Sequence, residues 1–146
     1  MAETTAQYEN KIEKAQSWDD MKQVLKELPK ITLRQRIEEH CEKSGKSFTV
    51  LCGLAGVAES TFYATINGTR APKKELIIRL AFALELSLDE LNELLKLSKL
   101  KELYAKSTED AIIIYGMKKG YDLHEIDMLL ESQHCQMRFF REKNDG

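Results

Sequence analysis

Proline and glycine are scarce in this chain: its 146 residues include 2 prolines and 7 glycines. Leucine, lysine, glutamate and alanine are abundant instead, and these residues favour helix over strand. Hydrophobic residues make up 42% of the sequence, which is enough to fill a buried core. The apolar, β-branched run 111–115 follows a capping sequence, so we expect a buried helix there. The composition therefore predicts an all-α fold.

Long apolar runs and paired cysteines are also lacking. No stretch approaches the roughly 18 uninterrupted apolar residues of a membrane span, and the N-terminus lacks the apolar centre of a signal peptide. We therefore expect a cytoplasmic protein with no membrane partner. Cys41, Cys52 and Cys135 are an odd number with wide spacing, which argues against a disulfide framework and against a zinc site. Cys41 and Cys52 are expected to be small core residues, and we expect neither a metal nor a cofactor.

A strong net charge is missing as well. The 22 basic and 24 acidic side chains give a formal charge of −2. A strongly basic chain would have indicated a nucleic-acid partner by charge alone, and this chain does not. Any DNA binding must therefore come from a local patch.

Helix starts are indicated by residues whose side chains can cap a first turn. These are Ser17, Thr32, Ser47, Ser87, Ser107 and Asp122. The expected helices cover about 4–15, 17–28, 33–43, 48–55, 59–67, 72–85, 88–97, 108–120 and 123–141. Pro29 is expected to end the second helix, and Pro72 to lie in the first turn of the sixth. Gly68 is expected in the left-handed conformation that closes a helix.

An internal repeat is visible in the C-terminal half. The segment from Glu75 to Leu95 is matched by the segment from Asp110 to Leu130 at a constant offset of 35 residues. Each copy has a helix, a short turn and a capped second helix with two consecutive leucines near its end. Two copies are too few for a solenoid. Either the C-terminal third repeats the helical hairpin before it, or two capped amphipathic helix pairs are similar by chance.

The most informative stretch is 48–72, which has the pattern of two short helices that cross at a sharp angle. Gly56 would take the turn conformation that a Cβ opposes, and Cys52 supplies a small residue where the helices pass closest. The second helix, 59–67, would then expose one face. The shared core is expected to be made by Leu51, Ala55, Val57 and Phe62.

Residues 33–97 resemble the Cro and phage-repressor family of helix-turn-helix proteins, the XRE-like group. The resemblance rests on the Ala-Gly-Val turn at 55–57, the Gly-x-Arg-x-Pro exit at 68–72 and the Ser-Leu-Asp-Glu-Leu helix start at 87–91. It implies a five-helix, lambda-repressor-like domain whose second motif helix enters the major groove of double-stranded DNA. It also implies a homodimer that reads two half-sites.

The resemblance further implies roles for individual side chains. The base-facing positions would be Glu59, Ser60, Tyr63, Ala64 and Asn67. The phosphate-contacting positions would be Lys46, Thr49, Thr69, Arg70, Lys73 and Lys74. Among the base-facing residues, Asn67 can pair two hydrogen bonds with adenine, and Glu59 can accept one from cytosine. No catalytic residue is implied, and we find none of the nucleophile, metal-protease or phosphate-loop motifs of enzymes.

We therefore expect three segments: an N-terminal helical extension at 1–30, a helix-turn-helix DNA-binding domain at 31–99 and a C-terminal helical hairpin at 100–146. The hairpin would serve packing, dimerisation or a protein partner. The predicted function is a sequence-specific transcriptional regulator of the phage-repressor kind, associated with a prophage or other mobile element.

The alternative is a protein-binding adaptor of the antitoxin or anti-defence type, built on the same fold with weak or no DNA binding. Residues 31–97 carry nine basic and nine acidic side chains, and neither Arg nor Lys occurs between Glu59 and Asn67. Such a neutral module lacks the positive charge from which most DNA readers gain affinity. The partner surface would then be formed by Met117, Met128, Met137, Phe139 and Phe140.

Overall fold

The computed structural model describes residues 4–28 and 31–140. Within these ranges the chain is all-helical, with nine helices and no strand, as the composition predicted. It divides into two compact units, residues 1–31 and 32–146. The helices are α1 (Thr5–Lys14), α2 (Trp18–Glu27), α3 (Leu33–Ser44), α4 (Phe48–Ala55), α5 (Glu59–Ile66), α6 (Lys74–Ala83), α7 (Leu88–Leu97), α8 (Thr108–Lys119) and α9 (Leu123–Ser132).

The N-terminal unit is a pair of helices, α1 and α2. Lys11 of α1 forms an ion pair with Glu27 of α2, with 3.3 Å between Nζ and Oε2. Val24 is buried, whereas Trp18 leaves 66% of its surface exposed. The predicted cap at Ser17 is confirmed, because its hydroxyl accepts from the amide of Asp20. Pro29, which was expected to end α2, lies outside the described residues.

The predicted helix starts of the second unit are confirmed by their capping hydrogen bonds. In each case a side-chain oxygen accepts from the backbone amide three residues later, which satisfies one of the amides that a first turn leaves unpaired. The capping residues are Thr32, Ser47, Ser87, Ser107 and Asp122. At α3, α7 and α9 the residue three positions on returns the bond, which completes a capping box.

Two predicted helix boundaries are wrong. The sixth helix begins at Lys74 with Lys73 as its cap, so Pro72 precedes the helix. The last helix ends at Ser132, not near position 141. After it, His134 adopts a left-handed φ of 59°, and the chain folds back. The carboxylate of Asp127 then accepts from the amides of Phe139 and Phe140, both at 2.8 Å.

The second unit has one apolar core to which α3–α9 all contribute. Three of the four residues predicted to line the helix crossing, Leu51, Ala55 and Phe62, are buried, and Val57 packs against them while half-buried. Cys41 and Cys52 are buried as predicted. Removal from water disfavours the charged thiolate and raises the pKa of both thiols.

The internal repeat is present in the backbone itself. Helix α9 spans the same positions as α7 when the numbering is shifted by 35 residues. Left-handed residues recur at the same offset: Glu85 and Gly120 precede the two capped helices, and Lys99 and His134 follow them. Chance similarity between amphipathic helices does not account for matched irregular positions.

The return segments of the two copies are anchored in the same way. Asn92 of α7 accepts from the amide of Leu103 at 2.9 Å. Asp127, which stands 35 positions later on α9, accepts from the amide of Phe139 at 2.8 Å. Leu103 and Phe139 are both buried. Each copy is therefore a helical hairpin followed by a segment that folds back onto its second helix.

Candidate nucleic-acid interface

Helices α4 and α5 form the crossing that the sequence pattern predicted. The chain bends by 113° between them, within the range of helix-turn-helix motifs. Gly56 makes the turn in a left-handed conformation with φ of 67°, which residues with a Cβ rarely adopt. Phe48 packs edge-on against Phe62 of α5, with the ring centroids 5.0 Å apart. The crossing fixes the angle at which α5 projects from the domain.

One side of α5 is open to solvent. Glu59, Ser60, Tyr63 and Asn67 are exposed, and Ala64 is half-buried. The opposite side is formed by the buried residues Phe62, Thr65 and Ile66. The structure thus brings all five base-facing positions together on one face, which we call the reading face. Their role in base contact stays a prediction.

Thr65 is the polar member of the buried side. Its hydroxyl donates to the backbone carbonyl of Thr61 at 2.8 Å, so the buried oxygen has a partner within its own helix. Thr65 can therefore lie on the buried side of α5 without an unsatisfied hydroxyl group.

The first turn of α5 lacks a side-chain cap. Ala58 is the capping residue, and no side chain accepts from the amides of the first turn. Free amides at a helix N-terminus attract anions, phosphate groups among them. A serine cap would have occupied one of these donors.

Arg34 of α3 contacts the reading face, and the sequence did not predict this contact. Its guanidinium donates from Nη1 to Oδ1 of Asn67 at 2.5 Å and from Nε to Glu38 at 2.9 Å. Its guanidinium carbon also lies 5.8 Å from the ring centroid of Phe48. Arg34 thus places a positive charge beside the reading face. The 33 positions between Arg34 and Asn67 leave no local sequence signal for the contact.

Four of the phosphate candidates are exposed beside the two motif helices. Thr49 is exposed in the first turn of α4. Thr69 and Arg70 follow α5 directly, because the carbonyl of Ala64 accepts from their amides at 3.0 and 3.1 Å. Lys73 caps α6 and is exposed. Within the described ranges neither Arg70 nor Lys73 forms an ion pair.

The remaining two phosphate candidates have other surroundings. The ammonium group of Lys74 is paired with the carboxylate of Asp110, which is buried and also accepts from the amide of Tyr104 at 2.8 Å. Lys46 lines a cleft of about 710 Å³ together with Leu54 of α4 and with residues of α6, α8 and α9. Of these two lysines, Lys74 is the one held in an ion pair.

The described ranges were also compared with the requirements of a metal site and of a membrane span. No group of three or more His, Cys, Asp or Glu side chains there could hold a metal ion. No single described helix is long and apolar enough to cross a membrane. Only the α4–α5 pair meets the length and composition criteria jointly, and it is bent by 113°. The reading face offers a partner the hydroxyl groups of Ser60 and Tyr63, the amide of Asn67 and the carboxylate of Glu59.

The crossing angle of α4 and α5, the open reading face and the three further helices α3, α6 and α7 define a helix-turn-helix domain. Residues 32–94 match a protein-family model described as "Helix-turn-helix domain". This part of the chain is therefore a helix-turn-helix domain of the XRE-like group, as the motifs indicated. No curated protein and no solved structure gives a significant match to the chain.

Proposed function

We propose that this protein is a sequence-specific transcriptional regulator of the phage-repressor kind. It acts in the cytoplasm, binds double-stranded DNA as a homodimer through the reading face of α5, and is carried by a prophage or another mobile element. The observation that supports the proposal most is the placement of five polar or small side chains on one exposed face of α5 within a helix-turn-helix domain.

Base reading would depend on the pair formed by Asn67 and Arg34. The amide oxygen of Asn67 has two acceptor positions, and Arg34 occupies one of them. The second position and the amide hydrogens stay available, which is what two hydrogen bonds to adenine require. Arg34 also restricts the rotation of the Asn67 side chain, so less conformational entropy is lost when a base is bound.

Phosphate binding would depend on a small number of cations. Arg70, which follows α5, and Lys73, which caps α6, are both exposed, and each phosphate neutralised by such a group releases condensed counterions. The neutral charge of the domain is compatible with this because binding responds to the local field. With so few cations, the affinity should decrease less steeply with salt than that of strongly basic DNA-binding proteins.

The alternative function is a protein-binding adaptor of the antitoxin or anti-defence type. The pairing of Lys74 with the buried Asp110 favours it, since this contact removes one cation from the supply available to DNA. Under this alternative the reading face would bind duplex DNA weakly or not at all.

Fluorescence anisotropy with duplex DNA tests the proposal. The duplexes are one of random sequence and one taken from the DNA that flanks the gene, each measured at low and moderate salt. We expect Arg70→Ala to weaken binding to both by a similar factor, because a phosphate contact carries no sequence information. Asn67→Ala should cost about 1–3 kcal/mol on the preferred duplex and little on the random one.

Lys118→Ala is the matched control for the loss of one positive charge. Lys118 is exposed on α8, away from α4 and α5 in the sequence, and its removal should leave both affinities unchanged. Absence of binding by the unmodified protein at low salt would contradict the proposal. Equal losses for Lys118→Ala and Arg70→Ala would show that only net charge matters.

A further inference from the structure

The cleft that Lys46 lines has the size and surface of a small-molecule site. Its volume of about 710 Å³ lies within the range of about 300–1,000 Å³ that is usual for ligand pockets. Apolar side chains from four helices line it: Leu54 of α4, Phe82 of α6, Met117 of α8 and Leu123 of α9. A ligand of this cleft would therefore have an apolar body.

Three planar side chains lie together at this cleft. The rings of His124 and Phe140 are stacked, with their centroids 3.8 Å apart and their planes 5° apart. The guanidinium carbon of Arg79 lies 4.9 Å from the centroid of Phe140. Flat aromatic molecules pack well against rings and guanidinium groups. The geometry therefore favours a flat aromatic ligand over an aliphatic one.

Two half-buried cations, Lys46 and Arg79, supply positive charge to the cleft. Lys46 forms no ion pair within the described ranges. Arg79 leaves 14% of its side chain exposed, and its Nη2 lies 3.6 Å from Oε1 of Glu75, which is longer than a hydrogen bond. A partly desolvated cation without a close partner gains free energy when a ligand supplies an anion.

Two carboxylates, those of Glu85 and Asp122, also line the cleft. Oδ1 of Asp122 accepts from the amide of Glu125 at 2.8 Å in the cap of α9, so this group is already engaged. Glu85 is exposed, and water and salt therefore screen its charge. The half-buried cations are screened less, so the cleft favours an anionic ligand over a cationic one.

We propose that this cleft binds a small, flat aromatic carboxylate. The aromatic body would pack beside Phe140 and the apolar side chains of the cleft. The carboxylate would be attracted by the ammonium group of Lys46 and the guanidinium group of Arg79.

Arg79 also connects the cleft with the helix-turn-helix motif. Its Nη1 donates to the carbonyl of Ala55 at 3.3 Å, and a Cβ built on Gly56 would lie 3.5 Å from the same atom. Ala55 ends α4, and Gly56 makes the turn to α5. A ligand carboxylate would compete with this carbonyl for Arg79. The ligand should therefore weaken DNA binding, an effect that rests on the function proposed above.

An amide chemical-shift titration of the ¹⁵N-labelled full chain tests the site without DNA. The probe is 2-naphthoate, and its matched non-planar analogue is decahydro-2-naphthoate, which has the same skeleton and charge. We expect saturable shifts of the cleft residues with a Kd on the order of 1 mM or tighter, from the usual affinity per non-hydrogen atom. The saturated analogue should bind about threefold more weakly or worse, because it cannot stack.

Two variants test the two halves of the site. Lys46→Gln should weaken 2-naphthoate binding about threefold through the loss of one ion pair, and Phe140→Ala should do so through the loss of the stacking surface. Lys118→Gln is the matched control, because Lys118 is exposed on α8 and does not line the cleft; its affinity should be unchanged. Circular dichroism verifies that each variant is folded.

Absence of saturable shifts at the cleft would overturn the proposal. Equal losses for Lys46→Gln and Lys118→Gln would do the same, because they would show that the anion responds only to net charge. Equal affinity for the saturated analogue would contradict the preference for an aromatic body.

Duplex binding with and without saturating 2-naphthoate tests the effect on DNA. We expect the Kd for duplex to rise by about fivefold or more, the lower end of usual coupling between two sites, and an unchanged Kd would contradict this effect. The outcome is separable from the proposed function. If 2-naphthoate binds the cleft and the protein binds no duplex, the ligand site stands and the regulator does not. If duplex binds and 2-naphthoate leaves the cleft unshifted, the regulator stands and the ligand site does not.

Discussion

Gly116 on α8 shows how closely a single residue is matched to its partner. A Cβ built on Gly116 would lie 2.7 Å from Cδ1 and Cγ1 of Ile126, which is itself fully buried. The equivalent pair in the first copy is Ala81 and Leu91, both fully buried. The crossing of α8 and α9 is therefore closer than side chains on both helices would allow.

Gly116→Ala and Gly53→Ala should change stability in opposite directions. Gly53 also lies within a helix, but a Cβ there would meet no atom within 4 Å, so the gain in helix propensity of up to about 1 kcal/mol applies. At Gly116 the clash with Ile126 should exceed that gain, with a net loss of about 1–2 kcal/mol. Urea unfolding of both variants measures the two changes. A stabilised Gly116→Ala protein would show that the helices can separate at little cost.

The sequence predicted the positions of the reading face but not all of the side-chain contacts around them. The five positions of the reading face follow from the helix-turn-helix motif, because the motif fixes which side of α5 is buried. The contact of Arg34 with Asn67 and that of Lys74 with Asp110 join residues 33 and 36 positions apart. No local pattern encodes such pairs, since they depend on how separate helices pack.

At the scale of the helices, starts were predicted well and ends less well. A capping box is a local pattern, and the one at Ser87 appears in the structure as it does in the sequence. The end of α9 depends on Asp127, which binds amides 12 and 13 residues later. It also depends on His134, a residue without the sequence signature of a helix stop. The few residues around the end of α9 therefore do not predict where the helix stops.

The capping box of α7 gives a prediction about pH. The hydrogen bond from the amide of Ser87 to the carboxylate of Glu90 stabilises its charged form, and the pKa of Glu90 is lowered. Since the folded-state pKa lies below the unfolded value, this contribution to stability is present above the ordinary pKa of a glutamate. It is lost as the pH falls through the folded-state value. The stability advantage of the unmodified protein over Glu90→Gln should therefore be present near neutral pH and shrink in acid.

Thermal unfolding of the unmodified protein and Glu90→Gln between neutral and acidic pH measures this advantage. Asp89→Asn is the control, because Asp89 lies in the same first turn without a bond to Ser87. An advantage that stayed constant down to strongly acidic pH would contradict the assignment. Ser87→Ala, which removes the other half of the box, should cost about 0.5–2 kcal/mol at neutral pH.

At the scale of the whole molecule, the internal repeat organises the C-terminal half of the chain. The sequence predicted the repeat from its constant offset of 35 residues, and the matched left-handed positions confirm it. Which faces are covered could not be predicted, because both copies have similar helical patterns and only packing distinguishes them. The division of the second unit into a helix-turn-helix domain and a C-terminal hairpin with a role of its own stays a prediction.

The stripe of methionine and phenylalanine side chains near the C-terminus is not one continuous surface. Phe139 is buried in the core at 2% exposure, whereas Met128 is 70% exposed. Phe140 lies between two partners: it stacks on His124 with the ring centroids 3.8 Å apart, and Arg79 lies 4.9 Å from its centroid.

The central claim is that the reading face of α5 binds DNA, and amide chemical-shift mapping by NMR tests it most directly. A ¹⁵N-labelled protein would be titrated at low salt with duplex taken from the DNA flanking the gene. We expect the largest shifts at 59–67 and at the exit segment 68–73, with loss of these shifts at high salt. Shifts confined to α8 and α9, or no shifts at all, would contradict the claim.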